Sequence, residues 1–358
     1  MKLAKLLEYK SDWLSNKGPL SDIVLSSRVR LARNLDRLPF PERASAAQQA
    51  QAYDLIKTSG KKNSYLKNAA VYNLEELDKI DRQFLMERHL VSFEHANGPG
   101  ARGVIIGDHD LVSMMINEED HIRLQGLQSG LQLRELWNIL QKIDRETSKH
   151  LCIAFSGELG YLTACPTNTG TGLRASLLVH LPAMMIRNEI DPLLRMLGKL
   201  GIVARGFYGE GTKVMGNMFQ ISNQLTLGPM EEAIIDKLES IGRKIVENET
   251  NSRKLLYEEN RNEFENRVFR AYGLLSSARA ISFNETLELI SMVKLGIGLG
   301  LEFGICIETL NELMVLSQPA HLQEAAGRAL PAKLRDIERA DLIRKRLQKE
   351  GKDREHYA

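Results

Sequence analysis

The chain has 358 residues, of which 43% are apolar and 26% charged, an ordinary composition for a globular protein with a sizeable core and room for two domains. Lys plus Arg (48) nearly balances Asp plus Glu (46), which argues against bulk electrostatic binding of nucleic acid, and no apolar run is long enough for a membrane span. The start MKLAKLLEYKSDW lacks the apolar core and cleavage site of a signal peptide, and three scattered cysteines, Cys152, Cys165 and Cys306, form no CxxC pair; a reduced, cytoplasmic setting is expected, with no disulfide or zinc framework.

Residues 1–20 read as a short amphipathic helix and a turn at Gly18-Pro19. From about 21 to 230, strands are expected at 23–32, 103–107, 111–124, 152–164, 203–209 and 218–227, and helices at 44–59, 74–88, 130–145, 174–181 and 189–199. The order is not a strict βαβ rhythm, so the expected class is α+β, a mainly antiparallel sheet flanked by helices. After Gly228-Pro229 the chain turns helical: dense charge over 230–270, an apolar stretch over 273–316 and a basic helix over 331–350. This predicts an all-α second domain, its boundary between 228 and 258.

Four stretches carry candidate chemistry. In SSRVR (26–30) strand alternation puts Arg28 and Arg30 on one face, where they repel each other unless an anion sits there; a solvated sheet face is the plain alternative. Read as a strand, NEEDHIR (117–123) places Glu119, His121 and Arg123 on one face. Glu119 and Arg123 would then lie about 13 Å apart and bracket a ligand rather than pair; the alternative is a charged strand end. In CPTNTGTGLRAS (165–176), Gly170 and Gly172 would let the backbone approach a ligand, and Arg174 would sit in the first turn of a following helix whose N-terminus favours anions. RGFYGEG (205–211) adds Arg205 and Glu210 in a glycine-rich loop.

In this order, with ERHL (87–90) and QISN (220–223), these segments resemble the catalytic domain of the phosphagen (guanidino) kinases over about 23–245, and the whole chain is more similar still to the bacterial protein-arginine kinases. The resemblance implies a helix at 1–22, a phosphagen-kinase-like catalytic domain at 23–250, and a helical domain at 251–358 that dimerises and binds phosphoarginine. It implies ATP with Mg2+ as cofactors, no protein-bound metal, and phosphate contacts from the SSRVR segment (Ser26, Ser27, Arg28 and Arg30) and from Arg123, Arg174 and Arg205. His89 matches the histidine beside the adenine, Glu119 the carboxylate that binds the guanidinium and takes its proton, and Cys165 the family's reactive cysteine. Glu210 is the candidate second carboxylate.

RDIERA (335–340) resembles the phosphoarginine-binding motif of the protein-arginine kinases. Arg335 and Arg339 lie one helical turn apart, with Asp336 beside them; a solvated helix with local ion pairs is the alternative. The implied partners are proteins with an exposed arginine (a stress-response repressor and proteins marked for Clp degradation), a zinc-binding activator and a second copy of the chain, with no nucleic-acid reading and no membrane. The metabolic members carry a small helical domain before SSRVR; here only 27 residues precede Arg28, which points to an open site suited to protein-borne arginine. They also have an arginine where Tyr208 stands, and arginine kinases a glutamate where Lys213 stands. The alternative functions are a metabolic kinase for free arginine or creatine, and a non-catalytic phosphoarginine-binding adaptor.

Overall fold

The computed structural model describes residues 3, 6, 9–206 and 214–355, with side chains to residue 350. Its strands are β1 (Val24–Arg33), β2 (Ala70–Asn73), β3 (Gly103–Ile106), β4 (Val112–Ile116), β5 (Ile122–Ser129), β6 (Phe155–Ser156), β7 (Gly160–Tyr161), β8 (Leu173–His180), β9 (Ile202–Gly206) and β10 (Met218–Asn223). Eight of them form one sheet in the order β2-β3-β4-β5-β1-β8-β10-β9, each neighbouring pair antiparallel. The helices are α1 (Ala46–Lys62), α2 (Lys79–Glu87), α3 (Phe93–Asn97), α4 (Leu133–Ser148), α5 (Pro182–Ile186), α6 (Ile190–Lys199), α7 (Glu231–Ser277), α8 (Phe283–Gly298), α9 (Ile307–Leu316), α10 (Pro319–Ala326) and α11 (Ala332–Glu355).

The α+β class holds, but several elements differ from expectation. The helix expected at 174–181 is strand β8, central in the sheet. Buried on both faces, RASLLVH shows no clean alternation of apolar and polar residues, so periodicity alone does not assign it. The single strand expected at 111–124 is β4 and β5, separated by a turn that starts at Asn117 in the left-handed region (φ 57°). The run 152–164 supplies only the two-residue strands β6 and β7. Edge strand β2 was not anticipated, because none of its four residues is fully buried. In the first twenty residues Leu6 is helical, as expected, and a 3-10 turn follows at Asp12–Leu14.

The register sorts the side chains of the sheet. Arg30 sits opposite Gln125 on β5 and Arg174 on β8; Arg28 sits opposite Leu127 and Ser176. Ser222 pairs with Ser176, and Gln220 with Arg205. Cross-strand partners share a face and alternate residues along a strand do too. Arg123, Arg28, Arg30, Arg174 and Arg205 therefore all project from one face, across β5, β1, β8 and β9.

The opposite face is apolar. Val29, Leu31, Leu124, Ala175, Leu177 and Ile221 pack there against α1, α4, α6 and the first half of α7 in the largest core. On the arginine face, two smaller cores flank the arginines. Met115, Val104 and Ile106 pack with Phe84 and Leu85 of α2, while Leu127, Leu178 and Met218 pack with Trp13 and with α8, α9 and α11.

Helix α7 runs through the expected domain boundary with one non-helical residue, Asn260 (φ −142°, ψ 45°). Ile234, Ile235, Leu238 and Ile245 before that point join the catalytic core; Phe264 and Val268 beyond it join a separate core with Leu295 of α8. A carboxylate ties the two parts together. Glu87, 2% exposed, accepts from the backbone N–H groups of Ala320 (2.8 Å) and His321 (3.0 Å), and His321 Nδ1 lies 2.8 Å away. These are donors that the start of α10 leaves without an intrahelical partner. Glu87→Ala leaves them buried and unpaired, and is expected to cost about 3 kcal/mol, read as a lower urea midpoint at unchanged m.

Candidate active site

The arginine face opens into a cavity of about 750 Å3 lined by Arg30, Arg123, Arg174 and Arg205 together with Glu118, Glu119 and Cys165. Arg28 stands next to Arg30 on the same strand face and lines a smaller adjoining gap with Ser26 and His89. The structure thus brings Arg28, Arg30, His89, Glu119, Arg123, Cys165, Arg174 and Arg205 to one region.

The electrostatics follow from that crowding. Burial, and then the charges of Arg123 and Arg174, push the Arg28 guanidinium down to about 10. Burial with Arg28, Arg123 and Arg174 pushes Arg30 well below its ordinary value. Arg28 Nε donates to Gln125 Oε1 (3.1 Å), and Arg174 Nη2 lies 3.4 Å from Ser222 Oγ. Arg30 Nε is buried with no hydrogen-bond partner among the described residues. Partly buried cations that repel one another, one with an unmatched donor, make a site built for a polyanion. A triphosphate fits this donor set. Among the described residues no group of three or more His, Cys, Asp or Glu could hold a metal ion.

The carboxylates sit at the other side of the cavity, in the β4–β5 turn rather than on a strand. The turn changes the roles expected for NEEDHIR. Arg123 Nη1 lies 2.6 Å from each oxygen of Glu118, a pairing with a residue that strand alternation put on the opposite face. Burial alone would raise Glu118, but Arg123, the Ser92 hydroxyl (2.6 Å) and the Glu119 N–H outweigh it and hold the carboxyl down at about 2. Glu119, half-buried, is left for other work: burial and neighbouring Asp120 raise its carboxyl above the ordinary range, and its side chain meets the Cys165 thiol. His121 does not face the site; it is 1% exposed, and its Nδ1 accepts from the Leu35 N–H (3.2 Å).

Asp120 joins the two loops. Its Oδ1 accepts from Asn34 Nδ2 (2.6 Å) at the end of β1 and from the Ala164 N–H (2.7 Å), one residue before Cys165. Asn34 Oδ1 in turn accepts from the His121 N–H (2.9 Å). Asp120 therefore sets the spacing between Glu119 and Cys165. A misplacement of about 1 Å can cost about 100-fold, so Asp120→Ala is expected to lower turnover by about that factor with nucleotide affinity retained, as steady-state kinetics and calorimetry would separately show.

The glycine stretch is not a ligand cradle. Gly170 (φ 113°) would place a Cβ 2.3 Å from Thr226 O, and Gly172 (φ 60°) one 2.6 Å from Ala32 O. The glycines let the Cys165 loop lie against the protein's own backbone, where Thr226 Oγ1 donates to Thr167 O and Thr169 O (2.8 Å each). Arg174 is held by a strand, not by the first turn of a helix. Cys165 is half-buried, its Sγ 3.0 Å from Thr167 Oγ1.

Three further expectations need correction or placement. Ser27 faces away from the arginines; its hydroxyl donates to Gly130 O (2.8 Å) and accepts from the Gln132 N–H (2.9 Å), as its odd place in the alternation requires. Arg335 and Arg339 do not form an open clamp. Arg339 is 2% exposed; its Nε donates to Ser317 O (2.7 Å) and its Nη1 to Ile281 O (2.8 Å) and Asp336 Oδ1 (2.6 Å). Arg335 Nη1 donates to Leu330 O (2.9 Å). Glu210, with Tyr208 and Lys213, lies outside the described residues. Sequence reasoning missed Glu118, Asp120, Asn34 and Gln125. The Asn117 turn signal beside two adjacent glutamates was the one cue that could have redirected attention to Glu118.

The family model described as ATP:guanido phosphotransferase, C-terminal catalytic domain, matches residues 51–252, and that described as Protein-arginine kinase McsB C-terminal domain matches residues 261–357. The protein-arginine kinase of Symbiobacterium thermophilum is 46% identical over 341 residues, 94% of this chain and 97% of its own. That of Halothermothrix orenii is 45% identical over 337 residues, 94% and 96% of the two chains. Among solved structures, the duplicated taurocyamine kinase from Schistosoma mansoni with bound transition-state-analogue components matches at a TM-score of 0.59 and 29% identity, over 70% of this chain and 37% of that one. Both parts of the chain, the arginine-faced sheet and the helical layer packed upon it, belong to one family: this chain is a member of the protein-arginine kinases, within the ATP:guanido phosphotransferases.

Proposed function

We propose that Arg28, Arg30, Arg123, Arg174 and Arg205 hold the phosphates of ATP, and that Glu119 receives an arginine side chain displayed by another protein. Bound ATP would supply the phosphoryl group, and Mg2+ carried on its oxygens would neutralise developing charge. The guanidino nitrogen gains the phosphorus, the bond from phosphorus to the oxygen of ADP breaks, and the guanidinium proton passes to Glu119. Glu118 keeps Arg123 aimed at the phosphates, and Cys165 places its sulfur beside the guanidino group. The observation that carries this reading is the meeting of the arginine cluster with Glu119 and Cys165 in one cavity.

The substrates proposed are proteins, including a stress-response repressor and proteins destined for Clp degradation, with a zinc-binding activator as partner and a homodimer as the working form. Arg335 and Asp336, both partly exposed, are the residues proposed to meet phosphoarginine as an allosteric ligand, with Arg339 shaping the site from within.

The test is transfer from ATP to a protein with exposed arginines, beside free arginine and creatine, with sites mapped under conditions that spare acid-labile P–N bonds. Phosphoarginine in the protein is expected. Products on serine, threonine or tyrosine would overturn the chemistry, and transfer confined to the free compounds would overturn the substrate class.

A further inference from the structure

Beside the arginine cavity lies a gap of about 30 Å3, lined by Trp13, Ser26, Arg28, His89, Leu127, Ser176, Leu178 and Gln220. Gln220 lines both spaces, so the gap continues the cavity along the sheet. It has the makings of a base pocket: two aromatic rings, two leucines and a few polar groups. It is also narrow, with room for only a small group.

Trp13 is the unexpected member. It comes from the 3-10 turn before β1, outside residues 51–252 that match the catalytic-domain model. Its ring stands edge-on to that of His89, with centroids 5.3 Å apart. The residue is 1% exposed, and its indole Nε1 is buried with no hydrogen-bond partner among the described residues. A buried indole N–H normally finds an acceptor. The partner ring is held in an unusual way: His89 has φ 61°, a conformation that a non-glycine residue adopts only where its surroundings enforce it. Burial, with Arg28 adding to it, pushes His89 down to about 3, so the imidazole is neutral and faces an aromatic ligand without a charge to desolvate.

We propose that Trp13 is a purine-contacting residue of the nucleotide site, and that the base enters by parting the Trp13–His89 ring pair, its ring nitrogens offering the acceptor that the indole N–H lacks. The proposal rests on the nucleotide reading of the arginine cavity. Because Trp13 packs in the core shared with α8, α9 and α11, base entry pushes on the helical layer as well as on the sheet.

The chain has two tryptophans, so a Trp137→Phe protein reports on Trp13 alone. Its emission is expected to change on addition of ATP and to stay unchanged with inorganic tripolyphosphate, which has the charge but no base, even where tripolyphosphate competes with ATP. In parallel, Trp13→Phe is expected to weaken ATP about tenfold by calorimetry and tripolyphosphate less than twofold. Binding of ATP with silent Trp13 emission, equal emission changes with both ligands, or equal loss of both in Trp13→Phe would overturn the assignment. Failure of either ligand to bind the wild-type chain would instead sink the nucleotide reading, and this inference with it. Should Trp13→Phe not fold, the emission measurement decides.

Discussion

Glu119→Gln is expected to lower turnover about 1000-fold while nucleotide affinity changes by less than about threefold. The size follows from the acceptor. A guanidinium carries its proton at neutral pH, and removing it costs roughly 7–8 kcal/mol at 1.36 kcal/mol per pKa unit. Glu118 and Glu119, adjacent in the chain, both line the cavity, and their surroundings divide the work. Glu118 is 5% exposed and already spends both oxygens on Arg123, so it holds its negative charge without accepting a proton. Among the described residues Glu119 forms no such ion pair, and burial and Asp120 raise its carboxyl, which makes it the better proton acceptor.

The same contrast fixes a pH sign. A base must be deprotonated, so activity falls as pH drops through the Glu119 value, and the acid limb of kcat/KM should lie above the ordinary glutamate range. Glutamine keeps the shape and loses the basicity, so a Glu119→Gln enzyme that turns over normally would remove Glu119 from the chemistry. Glu118→Gln should behave differently. It frees Arg123 from its anchor, so the loss should appear in nucleotide binding as well as in turnover.

The sheet face was legible wherever a strand stayed a strand. Arg28 and Arg30 could be placed together from alternation alone, because β1 is regular through both. The same rule failed a few residues later, since it assumes extended backbone and the chain turns at Asn117; Glu118 joins Glu119 at the cavity and takes the pairing with Arg123. Arg174 reached the right face by the wrong element. In the helical part, the Gly228-Pro229 break announced a new stretch, but not that α7 would serve two cores. Spacing put Arg335 and Arg339 on one side of a helix, yet only the tertiary structure reveals that Ser317 and Ile281 carbonyls cover Arg339. Asp120, Glu87 and Trp13 stayed invisible because their roles come from partners distant in sequence, whose approach no local pattern encodes.

Replacing Arg30 should move stability and function in opposite directions. Arg30→Met keeps most of the volume and removes a charge that burial and three neighbouring arginines oppose. Exchanging a partly buried, poorly compensated charge for an apolar side chain of similar size is neutral to stabilising, and here about 1 kcal/mol of added stability is expected in the ligand-free protein. The orphaned Nε at this position is removed along with the charge, which adds to the same sign. With ATP the ranking reverses. A charged donor to phosphate contributes about 1.5–3 kcal/mol, so affinity should fall about 10- to 100-fold. The wild type gains about 2.7 kcal/mol from ligand at 100 times its dissociation constant, and the variant at the same concentration about 0.4–1.4 kcal/mol. Calorimetric melts of both proteins, with and without ATP, read the four states directly. If Arg30→Met melts below the wild type without ligand yet responds to ATP equally, the arginines are supporting the fold and not waiting for phosphate. A crossing of the two pairs of curves is what a site pre-built at the expense of stability requires: repulsion stored on one sheet face, released only by a ligand carrying the opposite charge.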